Sequence, residues 1–419
     1  MRAGQPLWIV GGAVRNPLMG LPISDIDMCG PALPGEVLAF CKGTDVRAEL
    51  RAAHFGTVEL HVKDESGGHM AEYTTFREDS YRCGHRPEVV KFARDLSVDA
   101  LRRDFSVNAL YRHCLPDGLG PVEDPTGGLG HLAAGKLHTV TENPDQVLKD
   151  DGLRILRAAR FQAELGLQPT DSLLDSAARY VTLLGEIAPE RLHEELAKVI
   201  MADFRYSLPE RALPATGSGL DTIYRIGAWP YLFDDLQYDP EAVGALVDSA
   251  LRGWLPPEGL ALIPARLALL FWKEKPGDLA RALERLRFSV KERQTALRLA
   301  TVLEKAVHEA LTPFEGAQAG LLALEFCASS LQALGITEAC AKVTALWEDL
   351  KSRNVPTSLR NLALHGEDVS PLVQNKGLPP PCIGRVLNDL WRAVAEGQVP
   401  NEKRILMSMA ERGVGETEG

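Results

Sequence analysis

The feature that most constrains the fold of this chain is a change in its hydrophobic pattern near Gln146. Before that point, short β patterns mix with helical stretches and with many glycines and aspartates. Gly56–Val62 alternates as a half-buried strand, and Met70–Phe76 can pair with it across a turn at Asp64–Gly68. After that point the chain reads as helices separated by proline and glycine turns. We therefore predict an α+β protein, in which a small α/β head precedes a long helical remainder.

The composition is that of a globular protein of the reducing cytoplasm. A chain of 419 residues is too long for one ordinary core and indicates two to four packed units. Its longest apolar stretch, Leu260–Trp272, is interrupted by Pro264 and Arg266 and is too short to span a membrane. The seven cysteines form no CxxC pair, so we expect reduced thiols and neither disulfides nor a zinc site. No signal peptide and no membrane partner are predicted.

The charge distribution leaves nucleic-acid binding open. A net charge of −11 argues against it, although a local basic surface matters more than the total charge. Between Lys273 and Lys305, nine lysines and arginines outnumber five acids. This stretch is either a surface for an RNA backbone or the ordinary solvated face of helices, and both interpretations stay open.

A turn near the N-terminus has the form of a phosphate-binding turn. A short strand, Trp8–Val10, runs into Gly11 and Gly12 and then into a helical stretch. Glycines let backbone N–H groups approach a phosphate closely, and Arg15 adds a fixed positive charge suited to a triphosphate. A pair of glycines alone is usually only a turn, so this motif needs support from the rest of the chain.

Three acids are candidates for a metal site. Asp25 and Asp27, two residues apart, point to the same face if they lie on a strand. Two adjacent carboxylates repel each other unless a cation sits between them, and hard oxygen ligands suit Mg²⁺. Glu72, in a neighbouring β pattern, could supply a third acid. The alternatives are a surface aspartate pair at a turn and an outward-facing strand glutamate.

Two segments concentrate arginines. Arg102–Ala109 couples two guanidinium groups to an acid and an amide around one aromatic residue. In Asp150–Arg160, three arginines are spaced three residues apart, and Asp151 precedes the first of them by three. We therefore expect Asp151 and these arginines on one helix face. Helical salt bridges are the alternative explanation.

Taken in order, these motifs resemble those of the bacterial-type, class II family of tRNA nucleotidyltransferases and poly(A) polymerases. The resemblance is dense from about residue 7 to residue 200, and a second stretch, Leu359–Asn401, is similar to the family's C-terminal tail. Eight motifs in the right order are far more specific together than each is alone. They are GGAVRN, SDIDM, FGTVEL, EYTTFR, RRDFSVNALY, EDPTGGLGHLAAGKL, DDGLRILRAARF and ERLHEEL.

The resemblance implies a polymerase-β-like nucleotidyltransferase head with a mixed sheet, followed by all-helical neck, body and tail domains. We predict residues 1–135 as the catalytic head and 136–205 as the neck, which selects the nucleotide. Residues 206–330 form the predicted body, and 331–419 form a predicted tail that binds RNA.

The resemblance also assigns roles to residues. In the family the two acids of the SDID segment hold the metal ions, so the resemblance implies that Asp25 and Asp27 bind two Mg²⁺ ions. Glu72 is similar to the third catalytic carboxylate of the family. The predicted nucleotide-binding residues are Gly11, Gly12, Arg15, Arg103, Asp104, Asn108, Asp151, Arg154, Arg157 and Arg160.

Three departures from the family pattern stand out. Asn16 occupies the place of the family's usual aspartate, and we expect its side-chain oxygen to cap the turn without that charge. Ser106 replaces the usual threonine, which is a minor change. None of the ten histidines is followed by aspartate, so the phosphohydrolase segment of some relatives is missing and phosphatase or phosphodiesterase side activity is not expected.

The activity implied is template-independent addition of C, A or both to the 3′ end of tRNA. The RNA 3′-hydroxyl would attack the α-phosphate of CTP or ATP in line. Without a nucleic-acid template the protein must imitate a base edge, for which Arg154 offers donors and Asp151 an acceptor. The predicted partner is the acceptor and upper stem of tRNA, bound by its shape and backbone.

Other interpretations stay open. The same chemistry could yield complete CCA, only the terminal A, or a poly(A) tail. A full-length segment at Glu78–Leu101, which carries Arg82, Gly84, Arg86 and Arg94, disfavours a CC-only enzyme, because in the family a loop there helps the switch to ATP. The lack of a long basic C-terminal extension disfavours poly(A) tailing. Intact acids disfavour a non-catalytic RNA-binding relative, and the long helical portion disfavours a small-molecule substrate.

Overall fold

The computed structural model describes residues 4–64, 67–80, 89–206, 215–251 and 259–413. The chain forms two compact units, Met1–Asp234 and Asp235–Gly419. The first combines sheets with helices, and the described part of the second contains helices and no strand, which confirms the α+β prediction. No helix among the described residues is long and apolar enough to cross a membrane. The six cysteines within these ranges are free thiols.

The strands all belong to the first unit. In chain order they are β1 (Trp8–Val10), β2 (Ile26–Gly30), β3 (Val46–Ala52), β4 (Thr57–Asp64), β5 (Gly67–Thr75), β6 (Arg77–Ser80), β7 (Val89–Phe92), β8 (Tyr111–Leu115), β9 (Gly118–Glu123), β10 (Lys136–Leu137) and β11 (Gln168–Pro169). Seven of them form one sheet in the spatial order β3-β4-β5-β2-β1-β8-β9. Because β2 and β5 run parallel while the other neighbours are antiparallel, the sheet is mixed, as the resemblance implied.

The strand pairing expected around residues 56–76 is confirmed. β4 and β5 are antiparallel neighbours, with His61 opposite Met70. The ladder continues to Asp64 opposite Gly67, so the connection is shorter than the pattern indicated. In the segment from Glu78 to Leu101, β6 pairs with β7, while residues 81–88, including three of the positions noted above, lie outside the described residues.

The helices of the first unit follow or interrupt the strands. They are α1 (Gly12–Leu18), α2 (Pro34–Cys41), α3 (Leu96–Leu101), α4 (Gly128–Ala133), α5 (Pro144–Asp150), α6 (Leu153–Leu165), α7 (Asp171–Arg179), α8 (Pro189–Ile200), α9 (Ala202–Arg205), α10 (Ala215–Arg225) and α11 (Trp229–Phe233). Short 3₁₀ turns lie at Ala53–Phe55, Ser106–Asn108 and Val181–Glu186. The expected start of α8 is confirmed, with Pro189 and Glu190 in its first turn.

Helix α6 is the centre of the helical part of this unit. Eleven of its thirteen residues are buried, because α8 and α10 pack against it and its Phe161 meets Phe105 edge to face, with ring centroids 5.7 Å apart. The close approach of α10 requires Gly219, where a Cβ would lie 2.9 Å from the Cβ of Ala163. This packing gives α6 a fixed position, so the polar groups on α6 face rigid neighbours.

The described helices of the second unit are α12 (Pro240–Leu251), α13 (Leu262–Leu270), α14 (Pro276–Arg285), α15 (Val290–His308), α16 (Pro313–Ala319), α17 (Leu321–Ala333), α18 (Thr337–Ser352), α19 (Gly366–Asn375), α20 (Pro381–Ala395) and α21 (Lys403–Gly413), with a 3₁₀ turn at Leu359–Asn361. The starts of α15 and α16 are fixed by capping boxes, Ser289 with Glu292 and Thr312 with Glu315. Buried leucines and Phe326 form the contacts among these helices.

Candidate active site

Two carboxylates lie side by side on the central sheet. Asp27 of β2 is directly opposite Glu72 of β5 and, on its other side, directly opposite Val10 of β1. Residues in register on neighbouring strands point to the same face, so both carboxylates project from one face of the sheet. Asp25 lies just before β2, is 72% exposed, and is close enough to influence the pKa of Asp27. The fold thus places Asp27 and Glu72 side by side, with Asp25 two residues before Asp27 and outside the strand.

The electrostatics of these acids favour a bound cation. The pKa of Asp27 is raised, chiefly because the surrounding protein displaces water from its carboxylate and further because of Asp25, while Arg103 opposes the shift. Burial and the nearby Asp27 raise the pKa of Glu72. Each carboxylate nevertheless retains accessible surface, so a hydrated ion can reach it. A cation between the acids would relieve this repulsion.

The donor set fits Mg²⁺. Nowhere in the described ranges do three or more His, Cys, Asp or Glu residues gather closely enough to hold a metal ion by themselves. An ion at Asp25, Asp27 and Glu72 would therefore complete its shell with water and substrate oxygens. Mg²⁺ is commonly bound in this way, by one or two carboxylates together with phosphates.

The glycine turn lies beside the acids. Gly11 has a φ of 68°, in the left-handed region that favours glycine, and α1 begins at the next residue. A Cβ at Gly11 would lie 3.8 Å from Oδ2 of Asp27, so the turn is in direct proximity to the carboxylate. The expected strand, turn and helix at this position are therefore present.

Arg15 and Asn16 are buried beneath this turn. Arg15 donates hydrogen bonds through Nη1 to Oδ1 of Asn108 and through Nη2 to Oδ1 of Asn16, the latter at 2.7 Å. The expectation that Asn16 caps the turn is wrong, because Asn16 lies within α1 and its oxygen accepts from Arg15 rather than from a backbone N–H. Its amide donates to the carbonyl of Pro22 and to Tyr206. An amide thus fixes the arginine without adding a charge.

Arg102 and Arg103 share a buried acid that the sequence motifs did not indicate. Arg102 donates to Oδ1 of Asp99 at 2.7 Å, and Arg103 donates to Oδ2 at 3.0 Å and to Oη of Tyr111 at 2.9 Å. Burial alone would raise the pKa of Asp99, but the two arginines outweigh it and hold the pKa below its usual value. The pair therefore has a fixed position at the edge of the acidic face.

Asp104 links the segment that precedes the 3₁₀ turn Ser106–Asn108 to α6. Its carboxylate is buried and accepts from Nε of Arg157 at 2.7 Å, from Nδ2 of Asn108 at 3.1 Å and from the N–H of Phe105 at 2.7 Å. Burial would raise the pKa of Asp104, yet Arg157 and Asn108 hold it well below its ordinary value. Three predicted nucleotide-binding residues thus form one polar cluster.

One aromatic ring organises three of the predicted arginines. The guanidinium carbons of Arg15, Arg157 and Arg160 lie 5.3, 5.2 and 4.4 Å from the ring centroid of Phe161, which is within cation–π range. Arg160 also donates to Oε1 of Glu195 at 3.1 Å. Glu195 belongs to the ERLHEEL segment, and helical spacing alone could not predict that this segment packs against α6.

Asp151 and Arg154 are not paired with each other. The expectation that they share a helix face is wrong, because α5 ends at Asp150 and α6 begins at Leu153, which leaves Asp151 in extended backbone between them. Oδ2 of Asp151 accepts from Arg191 at 2.9 Å. Arg154 is buried and donates to two backbone carbonyls, that of Val147 at 2.9 Å and that of Arg102 at 2.5 Å.

Arg205 joins the loop before β2 to α6, a contact that no motif indicated. Its Nη2 donates to Oγ of Ser24 at 3.3 Å and lies 3.7 Å from Oδ2 of Asp25, while its Nε lies 3.7 Å from Oε1 of Glu164. The chain separation of 181 residues between Arg205 and Ser24 explains why local sequence could not reveal it.

A cavity of about 500 Å³ opens over the acidic face. Its lining combines acids with arginines, namely Asp27, Glu72, Arg51, Arg77, Arg102 and Arg103. A site that holds carboxylates and guanidinium groups together suits a metal ion and a polyphosphate or nucleic-acid backbone at the same time.

Two family models match this chain. The model described as the Poly A polymerase head domain matches residues 7–138, and one described as tRNA nucleotidyltransferase domain 2 matches residues 265–410. The first covers the sheet and the acidic face, and the second covers most of the described second unit. The head is therefore polymerase-β-like, as the resemblance implied.

Relatives of similar length match nearly end to end. The CCA-adding enzyme of Geobacillus stearothermophilus is 32% identical over 98% of this chain and 94% of its own, and that of Latilactobacillus sakei is 30% identical over 97% and 94%. A crystal structure of the Bacillus stearothermophilus CCA-adding enzyme in complex with CTP is similar with a TM-score of 0.73 and 26% identity, over 100% of this chain and 95% of that one. The chain belongs to the CCA-adding enzyme family of tRNA nucleotidyltransferases.

Proposed function

We propose that this protein adds C and A nucleotides to the 3′ end of tRNA, using CTP and ATP and releasing pyrophosphate. The observation that carries the proposal is the register of Asp27 and Glu72 on neighbouring strands beside the Gly11 turn, with Arg103 at the edge of the same cavity. The relatives cover the whole chain, so both the catalytic unit and the helical remainder are accounted for.

A divalent metal ion is general to this family, and we propose two Mg²⁺ ions held by Asp25, Asp27 and Glu72. When bound, the ions would activate the RNA 3′-hydroxyl and offset charge on the triphosphate and the leaving pyrophosphate. Burial raises the pKa values of Asp27 and Glu72, the neighbouring acids raise them further, and a bound cation would favour the charged carboxylates. Arg205 would hold Asp25 in place through Ser24.

The predicted nucleotide-binding residues form a rigid frame for the triphosphate and ribose. Gly11 and Gly12 leave the backbone accessible beside Asp27, and Arg103 supplies a positive charge whose position is fixed by Asp99. In nucleotidyl transfer the protein contributes mainly positioning and charge stabilisation. The buried hydrogen bonds of Arg15, Asp104, Asn108, Arg157 and Arg160 fit a positioning role.

Asp151 and Arg154 are proposed to select the base. Asp151 has one carboxylate oxygen bound to Arg191 and the other to the N–H of Leu153, so it has a fixed orientation. Arg154 would have to exchange one backbone carbonyl for the base edge. Cytosine presents the acceptors O2 and N3 with the donor N4, and adenine presents N1 and N6, so one acid–arginine pair can accept both after a small shift.

The remaining assignments follow from this proposal. Residues 1–135 act as catalytic head, 136–205 as neck, 206–330 as body and 331–419 as RNA-binding tail. A solved structure of the Thermotoga maritima CCA-adding enzyme complexed with tRNA, 16% identical with a TM-score of 0.64, shares the fold over 99% of this chain. By analogy we propose tRNA as the partner here, bound at its acceptor and upper stem, and the cytoplasm as the site of action.

The function is tested by incubating the protein with tRNA from which the CCA end has been removed, each labelled NTP in turn, and Mg²⁺. The expected result is incorporation of label from CTP, and from ATP once CTP is also present, with no incorporation after chelation of the metal. Long homopolymeric A tails on unrelated RNA would favour a poly(A) polymerase instead. No incorporation under any of these conditions would refute the proposal.

A further inference from the structure

We propose that Arg51 and Phe55 form a subsite for the 3′-terminal segment of the RNA, in which Arg51 contacts a backbone phosphate. This inference rests on the proposed function, because it requires an RNA 3′-hydroxyl that attacks a nucleotide at Asp25, Asp27 and Glu72. Arg51 on β3 lies outside the quoted motifs, and Phe55 is the first residue of the FGTVEL motif, to which no role has been assigned above.

The position of the cavity indicates which substrate enters it. From Asp27 and Glu72 the cavity extends across β4 to Arg51 and Phe55. Within the described part of the chain, Arg103 is the one predicted nucleotide-binding residue in its lining. Because attacking and leaving oxygens lie roughly in line on opposite sides of the phosphorus, the RNA must approach from the side opposite the triphosphate. The other predicted nucleotide-binding residues, all within the described ranges, are not in the lining of this cavity, so we assign the cavity to the RNA.

Arg51 is the arginine of this cavity that a ligand can most easily reach. Its side chain is 60% exposed, against 14%, 14% and 17% for Arg77, Arg102 and Arg103. Those three arginines are held in ion pairs with almost fully buried acids, so they belong to the frame of the site. An exposed guanidinium beside the catalytic acids suits bidentate contact with a phosphate.

A β-bulge turns Arg51 toward the cavity. The register of β3 against β4 shifts between Leu50 and Ala52, so Arg51 is the extra residue of the ladder. Bulges re-aim side chains and are common next to active sites. Arg51 donates to Oε1 of Glu59 at 2.9 Å. Arg51 also donates through Nε to Oε2 of Glu59, so the pair is bidentate, and a phosphate would have to share or displace this carboxylate at the exposed guanidinium.

Phe55 gives the subsite an apolar wall. It ends the 3₁₀ turn Ala53–Phe55 and is half-buried, and the guanidinium of Arg77 lies 5.5 Å from its ring centroid. Single-stranded RNA ends are commonly held by a cation on the backbone together with an aromatic or guanidinium surface against the base. Arg51 and Phe55 present that combination at the mouth of the cavity.

The test compares R51Q with R47Q. Arg47 is a matched control, because it lies on the same strand, is 79% exposed and is paired with Glu49 at 2.6 Å, but does not line the cavity. Steady-state kinetics are measured with tRNA ending in CC, varying tRNA at saturating ATP and ATP at saturating tRNA. Tm is measured for each variant to establish that it is folded.

We expect R51Q to raise the KM for tRNA about 10-fold, the usual effect of losing one hydrogen bond to a charged group, and to leave the KM for ATP within a factor of two. The slope of log affinity against log salt should fall by about one unit. R47Q should change neither quantity. F55L should raise the KM for tRNA several-fold, because leucine keeps the apolar volume and loses the ring face.

Two results would overturn the subsite while leaving the proposed function intact, provided that the wild-type enzyme adds A. The first is an unchanged KM for tRNA in R51Q. The second is an equal rise of the KM for tRNA in R51Q and R47Q, which would indicate only a general effect of charge. A wild-type protein that neither binds tRNA nor incorporates nucleotide would instead remove the proposed function, and the subsite with it.

Discussion

Among single residues, Asp25 and Asp27 matter most for the proposed nucleotide addition. We predict that Asp25→Ala or Asp27→Ala abolishes nucleotide incorporation and leaves the fold intact. Each change removes a predicted metal ligand, and in the metal-free protein it also removes the repulsion between Asp25 and Asp27, which adds to the effect of burial on the pKa of Asp27. Incorporation assays at saturating Mg²⁺, together with thermal unfolding, measure both effects.

A matched control for these variants is Asp117→Ala, an exposed aspartate in the turn between β8 and β9. It should keep wild-type activity. Near-normal turnover by Asp25→Ala or Asp27→Ala would contradict the assignment of these residues as metal ligands.

A second prediction about single residues concerns base choice. Asp151→Ala and Arg154→Ala should let UTP or GTP compete with CTP and ATP more than they slow the chemistry. Arg154→Ala should also lower the free energy of unfolding by about 1–3 kcal/mol, because it leaves the carbonyls of Val147 and Arg102 without their donor. Competition among all four NTPs and urea titration measure the two effects.

Arg112→Ala separates selection from stability. Arg112 also donates to two backbone carbonyls, those of Gly120 and Leu119, but it lies in no predicted contact with the nucleotide. It should lower stability without changing base choice. Wild-type selection by both Asp151→Ala and Arg154→Ala would show that another surface imitates the template.

Much of the candidate site could be predicted at the level of single residues from the order of short motifs. Asp27 and Glu72 were predicted as partners, and the register confirms that they are neighbours. Asp99 and Arg205 were missed, because a lone acid in a helix and an arginine outside the motifs carry no local signal. Their importance arises only when distant parts of the chain pack together.

At the level of helices and strands, the ion pair of Asp104 with Arg157 holds α6 against the segment that precedes the 3₁₀ turn Ser106–Asn108. We predict that Asp104→Asn lowers the free energy of unfolding by roughly 3 kcal/mol at pH 7, because it leaves a largely buried arginine with only the more distant Glu195, 3.9 Å away, as an ion-pair partner. Chemical denaturation at several pH values measures the loss. Asp145→Asn, which weakens an exposed pair with Arg179, is the control and should cost much less.

The pH dependence of this effect has a definite sign. The pKa of Asp104 in the folded protein lies well below its ordinary value of 3.8. Its stabilisation is therefore fully present above about pH 4 and is lost as the pH falls below 3.8 toward the folded pKa. The difference between wild type and Asp104→Asn should be constant from pH 7 to pH 5. A difference that already shrinks between those values would contradict the assigned pair.

Helix boundaries were the least predictable part of the elements. The spacing of Asp151, Arg154 and Arg157 indicated one continuous helix, but the helix is interrupted at Asp151, whose backbone is extended. A Cβ at the next residue, Gly152, would lie 2.7 Å from the Cβ of Leu183, so glycine permits a close tertiary contact here that spacing does not encode. By contrast, the pairing of β4 with β5 followed directly from their alternation, because neighbouring strands and a short turn are local features.

At the scale of the whole molecule, the negative net charge has to be reconciled with an RNA partner. The basic stretch Lys273–Lys305 spans α14 and α15, and at least four of its nine basic residues are in ion pairs, among them Lys273, Arg281, Arg293 and Lys305. Lys291 and Arg298 are exposed and lie seven residues apart on α15, so they share a face. They are the better candidates for phosphate contact.

We predict that reversing both charges, Lys291→Glu with Arg298→Glu, raises the KM for tRNA and leaves that for NTP nearly unchanged. Each lost phosphate contact should flatten the salt dependence of tRNA affinity by about one unit or less. Arg281→Glu on α14, which reverses the charge of an exposed arginine already paired with Asp278, is the control and should leave the KM for tRNA near the wild-type value. Affinity that responds neither to salt nor to the double reversal would place the RNA on another face.

The most direct test of the central claim uses three tRNAs that end before CCA, after CC and after complete CCA, each offered all four NTPs. The account predicts that the first receives C, C and A, that the second receives one A, and that the third receives nothing. Addition of A alone to the second tRNA, with no C added to the first, would restrict the enzyme to terminal A addition. Continued addition of A to the third tRNA would contradict the account.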